Sequence, residues 1–325
     1  MKHFRLSMIG IFAIVAAFIA GTLPIASADA ASSSSPASLA QVLQLVASAT
    51  SIKNVPSSIQ PPLQNADTSY GVDLAAKRGC SPAPTISTTG SCIYGDQQGS
   101  KTMVLVGDSH AAMWLAGFDE MAQRIHWKLV VLIKTECPAV MTRFWIDSLN
   151  RPYPECSAWH SYIVSRIRKL DPSIVVIANW WDYNKNINDK PITDTQWIQG
   201  ESTMLKDLQG KGTQEVLWGD IPYLSQAGPT CLAAHLTNAQ ACTTPRSYAD
   251  VSSHEFDLAA VAKQHAATYV STTNLFCTSQ CTAIVGSYDV YANASHITNN
   301  YAKFLSGAIQ TDLQPLINQS SQGTK

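Results

Sequence analysis

Uninterrupted apolar blocks alternate with amphipathic stretches along most of this chain. The blocks are residues 102–107, Lys128 to Lys134, Ser173 to Ala178, Glu215 to Gly219 and a shorter one from Ala267 to Ser271. Rich in β-branched residues and too short for buried helices, they predict strands. Helical spacing of apolar positions falls between them, near 110–125, 157–169, 195–209 and 253–265, and a last helix is predicted from Thr298 to Leu316. Strands apolar on both faces, alternating with helices, predict an α/β domain whose parallel sheet is covered on both sides. In such sheets ligands bind beyond the carboxyl ends of the strands. Ser109 and Asn179 each follow a strand end and therefore share one rim.

The first residues have a different pattern. Lys2 and Arg5 precede an apolar run from Leu6 to Ala20, and Ala26-Ser27-Ala28 or Ala28-Asp29-Ala30 offers a small-residue cleavage site. That combination predicts a signal peptide over 1–30 and a secreted or extracytoplasmic protein in the cell envelope, with an uncleaved N-terminal anchor as the alternative. A Ser/Ala/Pro linker follows. A short helix at Leu39 to Ala47 and an extended path imposed by Pro56, Pro61 and Pro62 complete an arm over 31–79. The main domain is expected over 80–316 and a disordered tail over 317–325.

The cysteines fit an oxidising compartment. Eight are present, and in sequence they fall into the close pairs Cys80–Cys92, Cys137–Cys156, Cys231–Cys242 and Cys277–Cys281. An even count in a secreted chain reads as disulfides, although eight cysteines allow roughly a hundred connectivities, nested ones included. Only Cys277 and Cys281 have zinc-like spacing, without a second ligand pair, so no metal is expected. The formal net charge is −1 and only 14% of residues are charged. Neither a basic nucleic-acid stripe nor a polybasic lipid-binding patch is present. Neutral glycans or small acyl esters fit this surface better.

Gly107-Asp108-Ser109-His110 joins the first strand to a helix. A serine there meets backbone N–H groups and a helix dipole that favour negative charge, the setting a serine nucleophile and its oxyanion need. A helix N-cap is the commoner role for such a serine. What raises Ser109 above that role is His296, in Asn293-Ala294-Ser295-His296 just before the last helix. Asn179 could turn its amide to an oxyanion, or close a turn. His110 lines the pocket at most. His126, His160, His235, His254 and His265 have no metal-like spacing.

These motifs together resemble the SGNH hydrolase superfamily, and within it the extracytoplasmic SGNH domain of fused acyltransferase-3 proteins. The resemblance rests on Cys92-Ile93-Tyr94-Gly95-Asp96, on Val104 through Trp114, and on Thr135-Glu136-Cys137-Pro138. It rests also on Cys156-Ser157-Ala158-Trp159, on Cys277 to Cys281 ahead of the histidine, and on the Val55-Pro56 to Pro61-Pro62 arm. It spans about residues 40 to 315. It implies a three-layer α/β/α sandwich with a central five-stranded parallel sheet, flavodoxin-like, and O-acyl chemistry on cell-surface carbohydrate without a cofactor.

The implied machinery is Ser109 as nucleophile, His296 as base and Asn293 as the residue that orients His296. Ser109, Glu136, Cys137 and Asn179 are the expected oxyanion donors. The family usually has aspartate where this chain has Asn293, so the imidazolium loses a charge. In serine proteases that change costs about 10⁴ in turnover, mainly through the wrong tautomer. Asp289, on the same turn, is the alternative orienting residue. An unperturbed base would titrate around pH 6.5. With no membrane half in this chain, the acyl donor would come from a separate membrane acyltransferase, or the protein would only remove acyl groups. The alternative is a catalytically weak glycan-binding or partner module, with Trp114, Trp159, Trp180 and Trp181 as candidate sugar-stacking residues.

Overall fold

Alternate side chains of the central strands point into two separate cores. Met103, Leu105, Leu129, Val131, Ile174, Val176, Val216 and Trp218 belong to one. Val104, Val106, Val130, Leu132, Val175, Ile177 and Leu217 belong to the other. This is the period-two consequence of a sheet buried on both faces. The computed structural model describes residues 36–322 apart from 183, 211, 250 and 251, all in one unit that begins at Pro36. The expected leader lies outside the described residues. Among the described residues no helix is long and apolar enough to cross a membrane.

The sheet contains β1 (Ile93–Gly95), β2 (Lys101–Gly107), β3 (Trp127–Ile133), β4 (Ile174–Ala178), β5 (Gln214–Trp218) and β6 (Thr268–Val270). The last five are the expected strands and pair in parallel in the order β3-β2-β4-β5-β6. β1 pairs antiparallel with β3. The sheet is therefore mixed and six-stranded, which corrects the five-stranded, all-parallel expectation at one edge. β1 has no periodic pattern to read. It is held by its surroundings instead: Cys92 is bonded to Cys80, and the Gly95 N–H donates to Asp119 Oδ1 at 2.7 Å.

One face is covered by helices Leu39–Ser48, Leu115–Arg124 and Ser306–Gln322, the other by Pro154–Leu170, Asp194–Leu208 and Ser252–Gln264. The result is the expected α/β/α sandwich. Fully burying one of these aliphatic side chains contributes about 1.5–3 kcal/mol, so the two layers dominate cohesion. All four close cysteine pairs are disulfides.

Two boundaries differ from expectation. The last helix passes Leu316 and runs to Gln322, so the disordered tail does not start at 317. The Gln214 side chain holds that final stretch, donating to Leu316 O at 3.0 Å and Ser320 Oγ at 2.7 Å. The helix after β2 is also split, into Ser109–Met113 and Leu115–Arg124, at the buried Trp114.

The strand order reverses direction between β2 and β4. β3 lies on one side of β2, and everything after β4 builds on the other. The crevice beyond the carboxyl ends of β2 and β4 is the switch point where ligands bind in such sheets. Gly107 makes that crevice geometrically accessible. Its φ is +151°, and a Cβ there would lie 1.8 Å from Ala178 O at the end of β4. Only glycine lets the chain turn so sharply against its neighbour.

Candidate active site

Asp108 caps the helix that begins at Ser109. Its Oδ1 accepts from His110 N at 2.8 Å, and its Oδ2 accepts from Trp180 N at 2.9 Å. One buried carboxyl thus ties the ends of β2 and β4 together. Burial pushes Asp108 up to about 6, against the pull that a charged His110 would exert and that of the two N–H donors. Ser109 is the first residue of its helix, so its N–H has no intrahelical acceptor and is available at the mouth of the crevice.

His296 comes from the polar turn after Tyr291, closed by Ala292 N donating to His296 O at 2.8 Å. Its Nε2 lies 3.0 Å from Ser109 Oγ, and its Nδ1 lies 3.2 Å from Asn293 Oδ1. Asn293 Oδ1 also accepts from the N–H groups of Ser295 and His296, both at 2.9 Å. Two backbone donors identify that atom as oxygen. An oxygen can only accept, so Nδ1 carries the proton and Nε2 keeps its lone pair for the Ser109 hydroxyl. Burial pushes His296 down to about 2, and a charged His110 would push it the same way. The unperturbed base expected near pH 6.5 is therefore corrected: partial burial of the imidazole disfavours its charged form. Tyr70, from the arm, packs on this ring with centroids 5.1 Å apart.

The structure brings Ser109, His296 and Asn293 together as expected. Asp289 is not the residue that orients His296, because Asn293 takes Nδ1. Asp289 sits in a hairpin, with its N–H on Gln60 O and its carbonyl accepting from Thr298 Oγ1.

The expected oxyanion donors fare unequally. The Cys137 N–H donates to Lys134 O at 3.1 Å and is committed to a turn, which removes it from the set. Glu136 adopts φ +56°, and among the described residues its N–H has no partner. Asn179 accepts from Ala139 N at 2.8 Å and donates one amide N–H to Glu201 Oε1 at 3.1 Å. Only its second N–H is left for an oxyanion. Burial pushes Glu201 up to about 8, so it holds a proton at neutral pH.

Sequence reasoning missed a cluster beside the pair. His110 Nδ1 lies 2.6 Å from Asp220 Oδ1, and both side chains are almost fully buried. Asp220 also accepts from Ile221 N at 2.8 Å and from the Tyr223 hydroxyl. The His110 ring stacks on Trp180, with centroids 5.3 Å apart and planes 4° apart. It meets His296 edge-on at 4.6 Å. Asp220 follows the end of β5 just as Asn179 follows β4. A polar residue at a strand end was the one available signal.

Among the described residues two further groupings look metal-like: Cys137, Cys156 and His160, and Cys231, His235 and Cys242. In both, the cysteines are joined as disulfides, which removes the thiolates a metal would need. Of the candidate stacking residues, Trp114 and Trp159 are core residues, whereas Trp180 and Trp181 are partly exposed on the rim. Trp181, Asp182 and Lys185 line one groove of about 330 Å³. A second, of about 580 Å³, is lined by Gln64, Thr230, Leu236 and Asn293.

Residues 75–311 match the family described as the SGNH domain fused to AT3 domains. The chain belongs to the SGNH family. Among solved structures, this SGNH domain resembles the periplasmic domain of a lipopolysaccharide acetyltransferase from Salmonella ser. Paratyphi A. They are 14% identical, the TM-score is 0.56, and the match covers 80% of this chain and 98% of that one. TesA is 15% identical, with a TM-score of 0.37 over 66% of this chain and 99% of that one. A carbohydrate esterase family 2 enzyme with a carbohydrate-binding domain, from Corynascus thermopiles (Myceliophthora fergusii), is also 15% identical. Its TM-score is 0.39, covering 66% of this chain and 67% of that one. No curated protein matches the sequence.

Proposed function

We propose that this SGNH domain is a secreted serine O-acyltransferase or esterase acting on acyl esters, acetyl foremost, of cell-surface carbohydrate. The observation that carries the reading is the 3.0 Å contact between Ser109 Oγ and His296 Nε2, with Nδ1 already anchored on Asn293. The Salmonella domain's acetyltransferase role supports the acyl class.

Ser109 Oγ attacks the ester carbonyl while its proton moves to His296 Nε2. The carbonyl π electrons pass to the oxygen, which the N–H groups of Ser109 and Glu136 and the second amide N–H of Asn179 stabilise. His296 returns the proton to the departing alkoxide as the C–O bond breaks, leaving acyl-Ser109. A sugar hydroxyl (transfer) or water (hydrolysis) then attacks the acyl carbon, giving its proton to His296, which passes it to Ser109 Oγ as the acyl C–O bond to the serine breaks. A separate membrane acyltransferase would supply the acyl group for transfer. The partly exposed Trp181 offers a face for a sugar ring beside the crevice.

The test is hydrolysis of a simple aryl acetate by the native chain and by Ser109→Ala, with mass analysis of the peptide carrying Ser109. Turnover and an acyl adduct that both vanish in Ser109→Ala support the reading. Turnover that survives Ser109→Ala rejects it. Glycan binding without any turnover would favour the binding module.

A further inference from the structure

A buried histidine–carboxylate pair stands beside the base, with the histidine ring against it, and the mechanism above makes no use of it. His110 and Asp220 are 2.6 Å apart and almost fully excluded from solvent. Three donors converge on the Asp220 carboxylate: His110 Nδ1, Ile221 N and the Tyr223 hydroxyl. Both carboxylate oxygens are thereby engaged as acceptors, the role of an anion. Nδ1–H of His110 is given to Asp220, whereas His110 Nε2 is buried and, among the described residues, has no hydrogen-bond partner. A proton on Nε2 would be an unsatisfied buried donor, so the ring is neutral with its lone pair there. The pair therefore carries one net negative charge.

This ring meets His296 edge-on at 4.6 Å. His296 is the group that becomes positive when it takes the Ser109 proton. Asn293 holds its other nitrogen but supplies no charge. We propose that His110 and Asp220 act as a positioning pair that supplies, from beside the ring, the negative charge Asn293 lacks. They stabilise the His296 imidazolium without touching substrate. No bond is made or broken at His110: the proton from Ser109 Oγ stays on His296 Nε2, and Nδ1–H of His110 stays on Asp220. A second proton on His110 would reverse the effect, placing like charges side by side. The buried Nε2, which has no acceptor among the described residues, acts against that proton. The inference rests on the proposed acyl chemistry at Ser109.

The experiment uses the full chain and an aryl acetate, with Asp220→Asn, Asn293→Asp and the double variant. Asp220→Asn is expected to lower kcat by about tenfold or more while KM stays within about threefold. Asn293→Asp is then expected to raise kcat by a larger factor in the Asp220→Asn background than in the native one, because it restores the missing charge. A merely structural Asp220 predicts the same factor in both backgrounds. That result, or a folded Asp220→Asn with native kcat, overturns the proposal. If Asp220→Asn does not fold, nitrogen NMR of the native protein decides. His110 protonated on Nδ1 alone is expected, and a doubly protonated His110 overturns the inference. Ser109→Ala separates the two failures. Turnover surviving Ser109→Ala rejects the acyl-serine reading itself, whereas its loss alongside an unaffected Asp220→Asn rejects only the pair.

Discussion

Asn293 Oδ1 lies 3.2 Å from His296 Nδ1 and is fixed there by the backbone N–H groups of Ser295 and His296. This contact decides what an asparagine at that position costs. In a serine protease the exchange of aspartate for asparagine fails mainly because the amide can offer N–H to the histidine and invert the tautomer. Here two backbone donors forbid that flip. What is lost is charge alone.

Asn293→Asp is accordingly expected to raise kcat on an aryl acetate by no more than about a hundredfold, well short of the about 10⁴ attached to a wrong tautomer. Asn293→Ala is expected to lower kcat more than it changes KM, since the ring loses its anchor only where it must be aligned. Steady-state kinetics of the two variants checks both. A thousandfold gain from aspartate would mean the native amide is flipped.

The burial of His296 makes the pH profile a second check. Partial burial disfavours the imidazolium and pushes His296 well below the ordinary histidine value. The base therefore stays neutral, and competent, at pH values where an exposed histidine is already charged. His296 is expected to contribute no limb to kcat/KM from about pH 8 down to about pH 5, a window in which the buried Asp108 and Glu201 carboxyls titrate instead. A limb with its midpoint around 6.5 that persists in Asp108→Asn would show a more open imidazole and crevice.

The serine was legible because its motif closes a strong apolar block, and the histidine because a short polar motif sets it just before the last helix. The sheet was legible from its apolar runs: β2 to β5 are runs that a doubly covered strand explains, and β6 is a shorter one at the edge. His110, Asp220 and Tyr223 were not. His110 and Asp220 are separated by 110 positions, and periodicity finds the faces that turn inward but not which polar tips meet there. Tyr70 was hidden for a related reason, since it comes from an arm with little pattern of its own. Asn179 was found but half its amide was misassigned, because Glu201 reads in sequence as a polar position on an amphipathic helix. Its burial against Asn179 appears only once the helix Asp194–Leu208 is packed on the sheet.

The Cys137–Cys156 bond should matter to activity beyond its share of stability. It ties the turn after β3 to the helix Pro154–Leu170. That turn carries Glu136 and also Ala139, whose N–H holds Asn179 at 2.8 Å. His160 supports it from below, its Nε2 donating to Pro138 O at 2.8 Å. Burial pushes His160 down to about 4, so it does so as a neutral ring. Replacing Cys137 and Cys156 by serine is expected to lower kcat more than the same exchange at Cys231 and Cys242, at matched loss of melting temperature. Equal losses of kcat would remove the turn from the site.

Asp289 gives a stability prediction independent of catalysis. Burial pushes its carboxyl up to about 8, against a smaller pull from the Tyr291 N–H, whereas the unfolded chain titrates at about 3.9. Between those values the folded state holds a proton that the unfolded state has released. Stability is therefore greatest below the lower value and falls as pH rises toward the upper one, by at most about 1.4 kcal/mol per pH unit. The exchange Asp289→Asn would keep the shape of the side chain and abolish the titration. The Asp289→Asn protein should melt close to the native protein at about pH 4 and increasingly above it toward about pH 8. Thermal melts of the two across that range decide the matter. Parallel curves would mean that water or a partner already satisfies the carboxylate in the folded protein.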